Sequence, residues 1–206
     1  MKRGLILGLA LALVAGVSSL SAQGIKWGVG GGMIMPQGNA NTSTDVDYGY
    51  IDKSGFGGGV NVTFPLSVAG LGVRVDGLYG TTNHKDSFCN NLAGTSSCGS
   101  STLLGANADL VYNFKLGGAI TPYVQGGLGF YDQKVKFEAS GVSVDSSKAN
   151  FAYNLGAGID WKLSSVTLFL DARYVISKWN DFFGTTGYTA NVNFIPLMVG
   201  VRFGGK

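Results

Sequence analysis

Ile195-Pro-Leu-Met-Val-Gly-Val-Arg-Phe203 decides the fold of this chain. Ile195, Leu197, Val199, Val201 and Phe203 form one apolar row, and Pro196, Met198, Gly200 and Arg202 alternate with them. A period of two sends the rows to opposite faces of a strand. One face is hydrocarbon throughout; the other is small, mixed and charged. A strand that crosses a bilayer, with lipid on one side and a crowded interior on the other, needs this pattern.

The same alternation recurs upstream. Leu168, Leu170, Ala172, Tyr174 and Ile176 alternate with Thr167, Phe169, Asp171, Arg173 and Val175. Phe151, Tyr153, Leu155, Ala157, Ile159 and Trp161 alternate with Ala152, Asn154, Gly156, Gly158 and Asp160. Leu104, Ala106, Ala108, Leu110, Tyr112 and Phe114 alternate with Gly105, Asn107, Asp109 and Asn113. Val73, Val75, Gly77 and Tyr79 stand against Arg74, Asp76 and Gly80. Glycine-rich stretches at 25–35, 56–64 and 120–133 bring the total to eight candidate strands. Several are close to the ~9–11 residues that a tilted strand needs to cross.

Connections alternate as well. Short ones fall near 65–72, 115–119 and 162–165, and long polar ones near 37–54, 82–101, 139–148 and 178–190. Short periplasmic turns and long outer loops are the rule for outer-membrane barrels, and an even strand number puts both ends on the periplasmic side. In a soluble barrel the apolar row would face inward and the exposed row would carry many charges. Here the apolar rows are free of charge except at strand ends, and the opposite rows carry the charges. The expected fold is an all-β, eight-stranded, antiparallel, up-and-down transmembrane barrel.

Composition agrees. Charged residues are 13 % of the chain, against roughly 25 % in ordinary soluble proteins. Glycine supplies 34 of 206 residues, far above its usual ~7 %. At the start, Lys2 and Arg3 precede an apolar run over residues 5–17, followed by Ser18, Ser19, Ser21 and Ala22. That order reads as a secretory signal peptide over residues 1–22, cleaved after Ser21 or Ala22. The run is short for a membrane-spanning helix, which needs ~20 residues. The barrel domain is then 23–206. Lys2 and Arg3 account for two of the three net positive charges, and the other basic residues are scattered, so no nucleic-acid partner is expected.

Tyr123-Val-Gln-Gly-Gly-Leu-Gly-Phe130, Leu155-Gly-Ala-Gly-Ile-Asp-Trp161, Leu170-Asp-Ala-Arg-Tyr174 and Val199-Gly-Val-Arg-Phe203 resemble, in order and spacing, the outer-membrane β-barrel domain family. These are small barrels of the opacity-protein type, related to the transmembrane part of outer-membrane protein A. The resemblance covers roughly residues 24–203 and implies a bacterial outer-membrane location. It also implies insertion by the barrel-assembly machinery, which reads an alternating last strand ending in an aromatic. Ile195, Leu197, Val199, Val201 and Phe203 fit that signal, although Gly204, Gly205 and Lys206 follow it. The wall-tethering role of longer relatives is not expected. The expected partners are outer-membrane lipids and lipopolysaccharide, the assembly machinery, and a surface ligand on the outer loops. The chain is expected to act as a monomer.

Eight strands enclose an interior that side chains fill. The inward rows hold Lys26, Arg74, Arg173 and Arg202 against Asp76, Asp109, Asp160 and Asp171, all towards the periplasmic half. Unpaired charge is costly in such a space, so cross-lumen ion pairs are expected. Gly156, Gly158 and Gly200 face the same way and leave room for arginine and aromatic side chains. This points to a non-enzymatic scaffold that displays its outer loops; the alternative is a narrow, porin-like channel for small or hydrophobic solutes.

Cys89 and Cys98 are the only cysteines. In a secreted chain they are expected to close the second outer loop as a disulfide. His84 is the only histidine; beside Lys85, Asp86 and Ser87 it is expected at a solvated loop tip. With no base held by an orienting group against a nucleophile, no catalytic residue is assigned. No metal or cofactor is expected either. Gly28-Val-Gly-Gly-Gly32 and Gly126-Gly-Leu-Gly129 precede no helix, so they read as strand glycines under Trp27, Tyr123 and Phe130, not phosphate loops. Trp27, Tyr112, Phe114, Trp161 and Phe203 should form the periplasmic aromatic girdle. Trp179, Phe182, Phe183 and Tyr188 fall in the last outer loop, as loop packing, an outer girdle or an exposed binding patch.

Overall fold

The computed structural model describes residues 24–38, 45–95, 97–139, 142–180 and 189–205; the expected leader lies outside them. Eight long strands build the barrel: β1 (Lys26–Gln37), β3 (Gly55–Pro65), β4 (Leu71–Asn83), β5 (Gly99–Asn113), β6 (Ile120–Ala139), β7 (Val142–Lys162), β8 (Thr167–Asn180) and β10 (Asn193–Gly204). Each pairs antiparallel with its neighbours, and the ring closes between β1 and β10, from Lys26 opposite Gly204 to Gln37 opposite Asn193. Two further strands of three residues, β2 (Asp45–Asp47) and β9 (Thr189–Asn191), lie in the first and last outer connections. They pair parallel with each other, and β9 also pairs with β8.

The alternation survives as burial. On β8, Asp171, Arg173, Val175, Ser177 and Trp179 are buried, while Leu170, Tyr174 and Ile176 are exposed. Exposed side chains form an apolar belt between two aromatic rims. Trp27, Tyr112, Phe114, Trp161 and Phe203 mark the periplasmic rim. Phe130, Phe151 and Tyr153 mark the outer one, with Phe130 edge-on to Phe151 at 5.3 Å and Phe151 to Tyr153 at 5.2 Å. Ile120 to Phe130 spans the belt on β6; at ~3.3 Å per residue and a ~40° tilt this is about 25 Å of height, matching an outer-membrane barrel.

The outer connections differ from expectation in three places. Most of the segment 139–148 is strand among the described residues: beyond the belt β6 runs on to Ala139, β7 begins at Val142, and the two stay paired there. The outward row of β6 changes to Asp132, Lys134, Lys136 and Glu138, all exposed, because water replaces lipid there. The second connection is shortened by β4 and β5 and contains a helix, Asp86–Ala93. The first contains the one-turn helix Tyr48–Ile51. Trp179 belongs to β8 and is buried, so it forms no exposed patch; Phe182, Phe183 and Tyr188 lie outside the described residues.

Candidate functional site

Side chains fill the lumen in two layers. The periplasmic layer is ionic and holds all eight charges read from the sequence. Arg173 stands at its centre: Nη1 donates to Asp76 Oδ1 (2.8 Å) and Oδ2 (2.9 Å) and to Asp109 Oδ2 (3.2 Å), and Nε donates to Asp171 Oδ1 (3.1 Å). Arg74 Nη1 donates to Gln125 Oε1 (2.6 Å) and reaches Asp171 Oδ2 at 3.4 Å, while its Nε donates to Thr63 Oγ1 (3.1 Å). Below them Arg202 donates to Asp160, which also lies 3.5 Å from Lys26 Nζ. Lys26 is the one member left half-open, with a third of its side chain exposed.

Tyr123 links the two groups. Its hydroxyl donates to Asp171 Oδ2 (2.7 Å) and accepts from Arg202 Nη2 (3.2 Å). The guanidinium groups of Arg74 and Arg202 lie 4.7 and 5.2 Å from its ring centroid, a geometry in which ring and cation attract. The expected room beside the inward glycines is real. A Cβ on Gly158 would strike the Tyr123 ring, one on Gly156 would strike Arg173, and one on Gly200 would strike Phe169. Polar partners complete the shell: Asn154 donates to Asp109 (2.7 Å), Gln125 to Asp171 (2.8 Å), and Asn107 to Asp76 (3.1 Å) and Tyr131 (2.6 Å). Every aspartate of the layer therefore has a directional donor.

Above this layer the lining becomes apolar. Leu78, Leu103, Tyr131, Val135, Val175, Trp179, Phe194 and Met198 cluster with Tyr48, Ile51, Ala190 and Val192 from the outer connections. A cavity of about 20 Å³ remains between the layers, lined by Arg74, Asp76, Asp171, Arg173, Phe169 and Met198. It has room for about one water molecule.

His84 is the main correction. It is 2 % exposed, not solvated. Nδ1 lies 2.5 Å from Asp52 Oδ1, and Nε2 donates to the Lys136 carbonyl at 2.7 Å. Thr82 Oγ1 donates to the other Asp52 oxygen (2.6 Å), which leaves the Tyr48 hydroxyl to donate to Thr82 (3.1 Å). Burial pushes the Tyr48 hydroxyl pKa well above its ordinary value. The imidazole stacks on Phe137, 4.7 Å between centroids. One histidine thus ties the first outer connection, the second, and the β6–β7 hairpin. Cys89 and Cys98 are disulfide-bonded beside it, and both are buried. On the hairpin's outer face Lys134 pairs with Asp145 at 2.5 Å, and that hydrogen bond lowers the Asp145 carboxyl pKa.

A closed ring of eight antiparallel strands, an apolar belt with two aromatic rims and an ion-paired interior fit the match that residues 7–203 make to the outer membrane protein β-barrel domain. The chain belongs to that family. It is a bacterial outer-membrane protein. Neisserial surface protein A is similar in fold, with a TM-score of 0.56 at 16 % identity over 87 % of this chain and 95 % of that one. A major outer membrane protein from Thermus thermophilus reaches 0.56 at 13 % identity over 87 % and 98 %. The outer membrane protein OprG from Pseudomonas aeruginosa reaches 0.50 at 13 % over 88 % and 95 %. No curated protein matches the chain. Within this outer-membrane barrel, sequence reading missed Tyr123 and Gln125 as members of the ionic layer, although both share the inward parity of β6. It missed Asp52, Thr82 and Tyr48 for a different reason: Asp52 and Tyr48 come from a connection with no period to read.

Proposed function

We propose that this barrel is a non-enzymatic envelope protein, a monomer that anchors and displays its outer connections and whose filled lumen does not conduct. The observation that carries this reading is the pair of stacked fillings, ionic below and apolar above, separated by space for about one water molecule. Binding commonly resides on loops held by a rigid scaffold, and here three outer segments are held by His84, a disulfide and the β2–β9 pair. Both ring nitrogens of the only histidine are engaged, so the imidazole itself is not a free base. Residues 1–22 then act as a cleaved leader, and Ile195, Leu197, Val199, Val201 and Phe203 as the strand read by the assembly machinery. Outer-membrane lipids and lipopolysaccharide surround the belt, and a surface ligand meets the connections above it.

Planar-bilayer recording of the purified protein tests the reading. The wild type should give no steady current, and Asp171→Ala or Arg202→Ala should lower the unfolding temperature or introduce conductance. Reproducible openings of the wild type would instead establish a narrow channel for small or hydrophobic solutes.

A further inference from the structure

We propose that the periplasmic mouth of the barrel is a binding site for oxyanions, a role beyond loop display and independent of it. The lumen charges balance in number but not in place. Arg74 and Arg173 serve three carboxylates, Asp76, Asp109 and Asp171, whereas Lys26 and Arg202 share Asp160 alone. The layer nearest the periplasm therefore carries one cation more than it has carboxylates.

Below that layer the barrel opens into a cavity of about 800 Å³, within the roughly 300–1,000 Å³ of small-molecule sites. Lys115 and Lys162 stand on its wall with Lys26, and neither has a carboxylate partner among the described residues. Among the described residues three ammonium groups thus face a single carboxylate, Asp160, which is already used twice. Thr121 and Thr167 line the same wall and add hydroxyl donors. Ammonium groups and hydroxyls around a concave wall suit phosphate or carboxylate oxygens, and the low-dielectric wall concentrates their field. Two sources supply that chemistry: a soluble, multiply charged periplasmic anion, or the headgroup of an anionic phospholipid in the inner leaflet.

The mature protein in phosphatidylcholine nanodiscs, titrated with inorganic pyrophosphate by calorimetry, tests the site. Saturable binding is expected, weakened about fivefold for each lysine removed in Lys115→Gln and in Lys115→Gln/Lys162→Gln, and retained in the matching Lys→Arg variants. Lys115 and Lys162 are exposed, and heat-modifiable migration checks folding; should the double variant misfold, Lys115→Gln alone reads the same effect. Repeating the titration in phosphatidylglycerol nanodiscs separates the sources. Undiminished binding supports a soluble anion, and lysine-dependent competition supports a headgroup. No saturable binding in phosphatidylcholine, or equal binding by wild type and the glutamine variants, overturns the proposal.

Discussion

Arg173 and Trp179 point into the same lumen from the same strand, yet their surroundings hold the barrel by different physics. Around Arg173 each contact is directional, and one guanidinium reaches three carboxylates. Around Trp179 the lining is apolar and depends on volume, with side chains drawn from the barrel wall and from the outer connections. Buried ionic layers punish the loss of a single partner, because the group left behind stays desolvated. Apolar layers tolerate exchange as long as the space is filled. The outward belt contributes little to either, since its side chains meet lipid in any case.

Removal of the central cation is the harshest way to break this comparison. Arg173→Ala should cost about 3–5 kcal/mol, read by urea unfolding in detergent, because Asp76 and Asp109 lose their only cation. Cys89→Ser with Cys98→Ser comes next, at about 2–3 kcal/mol for opening so short a loop. The cross-link constrains the unfolded chain, so the barrel's unfolding midpoint should fall, and hydrogen exchange should rise most across residues 84–101. His84→Ala leaves one Asp52 oxygen and the Lys136 carbonyl each without this partner, for about 1–3 kcal/mol. Its measurable effect is faster proteolysis of the outer connections, with the ionic layer untouched. Met198→Leu preserves volume in the apolar layer and should cost less than about 1.5 kcal/mol. A cost equal to that of Arg173→Ala would erase the distinction between the layers.

The same contrast explains what can be read from the chain. On the periplasmic half, charged or small residues such as Arg74, Asp76 and Asp171 alternate with Val73, Val75 and Leu170, so strands, faces and ionic layer are all visible. On the outer half of the belt the inward residues Leu78 and Leu103 are as apolar as their outward neighbours Tyr79 and Leu104, and the period loses its contrast. The hairpin beyond the belt reads as a loop because its outward row turns polar at Asp132 just where water begins. Polarity there reports the solvent, not the end of the strand. His84 reads as a solvated residue because its partners, Asp52 and the Lys136 carbonyl, arrive from segments 32 and 52 residues away, and no local pattern announces them.

The strand ladders also set an order of assembly. Twenty residue pairs join β6 to β7, which are adjacent in the chain, so that hairpin forms with almost no loop to close. The seam between β1 and β10 joins Lys26 to Gly204, across nearly the whole domain. Loop-closure entropy grows with separation, by roughly 0.6 kcal/mol for each doubling, and long-range pairing is slow for that reason. The hairpin is thus the natural nucleus and the seam the last event. Until the seam forms, two rows of backbone amides and carbonyls lie open, which hydrocarbon does not tolerate. The arrival of the final strand is therefore the step at which this sheet becomes compatible with a membrane interior.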